Sequence, residues 1–232
     1  MSDLDALKDK LILAGRILVA QGQDDFTRGH VSVRLPDDPS RFLMKPHSIG
    51  FDEITRDNIL TIDLDGKVVE GIARRHSEVF IHSEIFRARA DVQSVIHSHP
   101  TYATALSATG RPIRAFSQPG AMFHRALDTY DASMRLIRTP DMGAAVARAL
   151  GRNRAVLLKN HGIAAAGGSI EEATLVAIML ENAAMIQLIA EAAGDTAPEL
   201  PREDIEALRN EIGAPEQFVI NFDYLARRLR RV

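Results

Sequence analysis

Ser169 followed three residues later by Glu172 opens a run of apolar residues that keeps helical spacing until Gly194. A serine whose side chain can cap the amide three residues on, with a glutamate able to reach back, marks a helix start, and the glycine marks its stop. The spacing predicts a helix from Ser169 to about Ala193, roughly 35 Å long at 1.5 Å per residue. Such a helix is long enough to cross a whole domain.

The other elements alternate between two periods. Leu4, Leu7, Leu11, Ile12, Ile17 and Leu18 predict an amphipathic helix ending near Gly22. Strand-like runs follow at His30–Leu35, Phe42–Lys45, Ile59–Asp63 and Lys67–Val69, the last pair joined by an Asp65-Gly66 turn. A helix over Ser77–Ala90 then feeds a strand over Val92–His99. Pro112, Pro119 and Gly120 make Thr109–Gly120 a connection without long regular structure. Beyond it come a helix at Met142–Leu150, strands at Ala155–Lys159 and Ile163–Ala166, and helical pieces after Pro201 and Pro215. This order predicts an α/β fold with a central, mostly antiparallel sheet. The expected organisation is a single domain over residues 1–232, with a C-terminal helical extension from about 196.

Composition narrows the chemistry. With 46% hydrophobic residues in 232, the chain can bury a substantial core, which excludes a disordered chain. A net charge of −3 offers no field for a nucleic acid or an anionic membrane, and Arg227, Arg228, Arg230 and Arg231 read as a solvated helix end. The apolar runs read as too short and interrupted to span a bilayer, and the N-terminus lacks a signal-peptide pattern, so a cytoplasmic protein is expected. There is no cysteine, so a bound metal must rest on histidine and carboxylate.

Eight histidines are unevenly distributed, with His76, His82, His97 and His99 in one helix-strand unit. His97 and His99 end a strand, where side chains two apart share a face, so two imidazoles project side by side as a metal site needs. The alternative for such a pair is two partly buried polar residues at a strand end. His161 is the best third ligand: it ends a second apolar strand, and Gly162 behind it allows a sharp turn. His82, in mid-helix, and His124 read as surface residues or as supports behind a site. Spacing alone makes Glu78 a favourable charge at a helix N-terminus.

The segments Gly29-His30-Val31-Ser32-Val33-Arg34, Ser77-Glu78, Asp91 to Pro100 and Leu157-Leu158-Lys159-Asn160-His161-Gly162, in this order, resemble the class II aldolase/adducin family over about residues 4–195. The resemblance implies a three-layer α/β/α domain and a divalent ion, usually zinc with manganese as an alternative, held by His97, His99 and His161. It makes Glu78 the acid/base or an occasional further ligand. It also implies a homo-oligomer, commonly a four-fold tetramer with active sites at subunit boundaries.

Departures from the sugar-phosphate members shift the expected substrate. His30 stands where they have asparagine, His47-Ser48 replaces a Thr-Gly pair, and Arg75-His76-Ser77 replaces Pro-Ser-Ser. These residues suit a substrate carboxylate or phenolic oxygen better than a cradled phosphate. The loop Ala115 to Gly120 lacks the aldolases' tyrosine, while Tyr224 is a candidate to enter a neighbouring subunit's site; its other reading is packing beside Phe218, Phe222 and Leu225.

The leading expectation is therefore a metal-dependent decarboxylase of a hydroxylated aromatic or ring-cleavage carboxylic acid, with the electron pair stabilised as an enolate or phenolate. The alternatives are an aldolase for a non-phosphorylated hydroxy-keto acid or a sugar phosphate, and a non-catalytic adducin-like interaction module.

Overall fold

Alternation along the strands decides the layers. In the computed structural model, which describes residues 3–194 and 198–229, neighbouring strand residues such as Val95 and Ile96 enter different hydrophobic cores. The expected start of the C-terminal extension near 196, and Arg230 and Arg231, lie outside the described residues. Strands β1 (His30–Arg34), β2 (Arg41–Met44), β3 (Leu60–Asp63), β4 (Val68–Glu70), β5 (Ser94–Ser98), β6 (Asp128–Tyr130), β7 (Ala155–Leu158) and β8 (Gly162–Gly167) form one sheet. Its order is β4-β3-β2-β1-β5-β8-β7-β6, antiparallel throughout except for the parallel pair β6 and β7.

Helices α1 (Asp3–Ala20), α3 (Thr101–Thr109), α4 (Gln118–Phe123), α6 (Ile170–Ala192) and α8 (Pro215–Leu229) share one core with Val31, Val33, Ile96 and Ala165. On the opposite face, α2 (Val79–Ala88) and α5 (Pro140–Leu150) pack over Phe42, Val95 and Ala164. Helix α7 (Arg202–Ile212) docks against α4. A mixed α/β fold with a central, mostly antiparallel sheet is what the sequence predicts.

Ser169 caps α6 by accepting from the Glu172 amide at 3.1 Å, and Glu172 accepts from the Gly168 amide at 2.8 Å. The reciprocal bond thus falls one residue before the cap. By length and composition α6 could cross a membrane, which corrects the expectation that every apolar run is too short. Its apolar character has another cause: it packs on β5 and β8 and on α1, α3, α4 and α8.

Two elements were not legible, α3 and β6. Pro100 and a Thr/Ala/Ser-rich stretch hide the first, and the second is only three residues long. Within the expected connection, Ser117 caps the short α4 by accepting from the Gly120 amide at 3.2 Å, with Pro119 in its first turn.

Candidate metal centre and its cavity

Strand register brings the polar residues together. Antiparallel pairing sets His30 at the start of β1 opposite His97 near the end of β5. Strand β5 stops at Ser98, one residue before His99, and the β7–β8 turn carries Asn160 and His161 to the same place. The positive φ in that turn belongs to Asn160, at 56°, so the expectation that Gly162 makes the sharp turn is corrected. Gly162 is instead required by close approach: a Cβ there would collide with the Ser98 carbonyl and lie 2.8 Å from the His99 ring.

The proton of the central ring is committed elsewhere. His97 Nδ1 donates to the Ile163 carbonyl at 2.8 Å, since a carbonyl only accepts. Asp25 holds a carboxylate oxygen 3.0 Å from His99 Nδ1. The two Nε2 atoms lie 3.0 Å apart, and with the His99 proton on the nitrogen that faces Asp25 both present lone pairs to the space between them. His161 Nε2 is buried without a hydrogen-bond partner, and one nitrogen from each of the three rings lies within 4.8 Å of the others. Zinc bonds of about 2.0–2.1 Å in tetrahedral geometry separate two nitrogens by roughly 3.3 Å, so this donor set fits a divalent ion.

Electrostatics favour the same role. Burial pushes the His97 imidazole well below its usual range, with His99 and His161 adding to the effect. Burial, then His161, lowers His99 to about 4, and burial lowers His161. Neutral rings are the form that can ligate. Glu78 occupies the N-cap position just before α2, but its side chain makes no capping bond; its Oε1 accepts from the Ile137 amide at 2.9 Å. Its Oε1 lies 3.7 Å from His161 Nε2 and its Oε2 lies 3.8 Å from His97 Nε2.

A cavity of about 360 Å³ is bounded by His99, His161 and Glu78, and by Arg28, His47, His76 and Ser77. Under it Lys45 is fully buried, donating to the Thr27 carbonyl at 3.2 Å and the Pro46 carbonyl at 3.1 Å. Burial, reinforced by Lys45, lowers His76 to about 3; burial and then Arg74 lower His47. These histidines meet a ligand as neutral groups, and the cation at the cavity wall is Arg28.

Four expected pocket residues sit elsewhere. His30 is fully buried behind the cavity, its ring 4.5 Å from His76 and 4.8 Å from His97. Arg75 donates to the His76 carbonyl at 2.9 Å and lies over the Phe80 ring, whose face attracts the cation. Ser48 is exposed in a left-handed conformation, with its hydroxyl on His47 Nδ1. Tyr224 is half-exposed on α8 in a groove with Leu175 and Asn221, apart from the cavity.

His82 is fully buried, which removes the surface alternative of its two readings and leaves that of a support behind the site: Val79 to Phe86 are all buried between the sheet and α5. His124 lies away from the site, 3.8 Å from Glu199. Sequence reasoning missed Asp25 and Arg28, which stand in an irregular segment with no periodic signal. Lys45 had a signal, a charged residue ending an apolar strand.

The family described as "Class II Aldolase and Adducin N-terminal domain" matches residues 9–188. "Decarboxylase NovR" of Streptomyces niveus is 32% identical over 211 residues, covering 90% of this chain and 78% of the relative. The 3,4-dihydroxyphthalate decarboxylase of Arthrobacter keyseri is 30% identical over 212 residues, covering 87% and 85%. Among solved structures, L-fuculose 1-phosphate aldolase from Glaciozyma antarctica PI12 superposes with a TM-score of 0.87 at 28% identity, covering 97% of this chain and 89% of that one. The chain belongs to the class II aldolase and adducin family.

Proposed function

We propose that the chain is a metal-dependent carbon–carbon lyase that decarboxylates a hydroxylated aromatic or ring-cleavage carboxylic acid. The observation that carries this reading is the cavity wall: Arg28, with neutral His47 and His76, stands beside the three-histidine cluster, where a carboxylate can be met by charge-assisted hydrogen bonds. Two relatives named as decarboxylases support it.

His97, His99 and His161 would hold the ion, zinc by the all-nitrogen donor set, with Glu78 at its edge. A divalent ion there supplies Lewis acidity to the electron pair released when a carbon–carbon bond breaks. Arg28 orients the substrate carboxylate, and His47 and His76 contact its neighbouring oxygens. The bond to the carboxyl carbon breaks and carbon dioxide leaves. The electron pair stays on the substrate carbon, which takes a proton. Glu78 Oε2 is the atom suited to take the substrate hydroxyl's proton and return it to that carbon, because Oε1 is engaged by the Ile137 amide. A homotetramer, with Tyr224 completing a neighbour's cavity, belongs to the same proposal.

The test is product analysis with zinc- or manganese-loaded protein and a panel of ortho-hydroxylated aromatic acids, set against hydroxy-keto acids and sugar phosphates. Metal-dependent carbon dioxide release supports the reading. Release of pyruvate or an aldehyde without carbon dioxide makes the chain an aldolase, and a protein that binds no metal and turns over nothing makes it an interaction module.

A further inference from the structure

Residues 25–28 make a tight turn at the edge of the cavity. The Arg28 amide donates to the Asp25 carbonyl at 3.0 Å, with Phe26 and Thr27 between them. The other three residues of the turn are engaged at the centre: Asp25 Oδ2 lies 3.0 Å from His99 Nδ1 and 3.4 Å from Arg28 Nη1, and the Thr27 carbonyl accepts from Lys45 at 3.2 Å. Phe26 is the side chain that this pinned turn displays, and it is 80% exposed.

Its backbone is strained. Phe26 has a φ of 51° at the first central position of the turn, where glycine, asparagine and aspartate are the residues that take a positive value readily. Among the described residues it is the only apolar side chain carried at a positive φ. Glycine would make the same turn with less strain, and a ring so exposed returns little by packing. Backbone outliers that the surroundings hold in place collect at ligand sites.

The cavity lacks what the ring offers. Of the residues that bound it only Leu136 is apolar, so its walls can hold a carboxylate and a hydroxyl but give little cover to the body of an aromatic ring. The Phe26 ring centre lies 5.8 Å from the Arg28 guanidinium carbon. A carboxylate seated on Arg28 brings the ring it carries to this same edge, and aromatic rings pair with their centres about 4.5–7 Å apart.

We infer that Phe26 is a specificity-determining residue that covers the aromatic ring of a substrate whose carboxylate Arg28 holds. It favours hydroxylated aromatic acids over hydroxy acids without a ring. The inference rests on the reading of the substrate as an aromatic acid held by Arg28, but binding reports on it without turnover.

The experiment is calorimetry of the zinc-loaded protein with salicylate and with lactate, each a carboxylate beside a hydroxyl and only the first on a ring. The wild type is expected to bind salicylate at least tenfold more tightly than lactate. Phe26→Asn, which suits the left-handed backbone, is expected to weaken salicylate at least fivefold, leave lactate affinity and zinc content within about twofold, and raise the unfolding midpoint of the metal-free protein. Phe26→Tyr keeps the ring and is expected to hold both affinities within about twofold of wild type. Equal binding of the two acids by the wild type, or a Phe26→Asn variant that weakens both or neither, overturns the inference. A smaller assembly in Phe26→Asn with salicylate affinity unchanged also overturns it and gives the ring to a neighbouring copy of the chain. If the wild type shows the salicylate preference yet releases carbon dioxide from no aromatic acid, the decarboxylase reading falls and the role of Phe26 stands.

Discussion

Asp25 holds a carboxylate oxygen 3.0 Å from Nδ1 of His99, on the side of the ring away from the nitrogen that faces His97. A carboxylate behind a ligating imidazole orients the ring and raises its basicity, and losing such a partner typically lowers metal affinity about 10–100-fold. Asp25→Ala should weaken zinc binding by that factor in a chelator competition, with the fold unchanged by circular dichroism. Wild-type affinity in this variant would show that Asp25 has no part in the centre.

Arg28 and Arg75 separate the cation that meets the cavity from one that does not. A charge-assisted hydrogen bond contributes about 1.5–3 kcal/mol, which corresponds to a factor of about 10–100 in affinity. Arg28→Met should raise KM for a carboxylate substrate by that factor, leaving metal content and kcat near wild type. Arg75→Met should change KM less than twofold, since Arg75 lies over Phe80 and does not line the cavity. Steady-state kinetics of the two variants make the comparison.

The metal-type residues were legible because they are chemically distinctive and end apolar strands. His97, His99 and His161 declare themselves in this way, whereas the place of Glu78 at a helix start reads only as a favourable charge, and the family resemblance alone singles it out. Periodicity assigns a face but not a depth, and that is where His30 and His82 escape. On α2 the helical pattern suggests a polar side, yet the sheet and α5 cover it all round. Asp25 and Arg28 are carried by an irregular segment whose path is set by the residues it packs on. Nothing local in the sequence announces where such a segment leads.

Lys45 gives the fold a pH signature. Burial lowers its ammonium to about 7, against an ordinary value of 10.5, with Glu53 opposing the shift. Between these two values the unfolded chain binds a proton that the folded chain does not, so stability rises with pH across that window. The contribution is complete above 10.5 and lost as pH falls through 7. Urea unfolding at intervals from pH 7 to 10 should show a steeper rise for the wild type than for Lys45→Met. Parallel curves would mean that the ammonium titrates normally.

Gly162 connects packing to the centre. Its Cα faces the Ser98 carbonyl and the His99 ring across the β5–β8 pair, so an added methyl must push the strands apart or turn the imidazole. Overpacking of this kind costs about 1–3 kcal/mol, and here the neighbour that yields is a candidate ligand. Gly110→Ala is the control: nothing lies within 4 Å of its new methyl, but its φ of 68° makes alanine strained, at about 1–2 kcal/mol. Both variants should lower the unfolding midpoint, read in the metal-free protein. Only Gly162→Ala should also weaken zinc binding, by tenfold or more in chelator competition. Equal zinc affinity in the two variants would mean that the His99 ring does not depend on the close approach of β8.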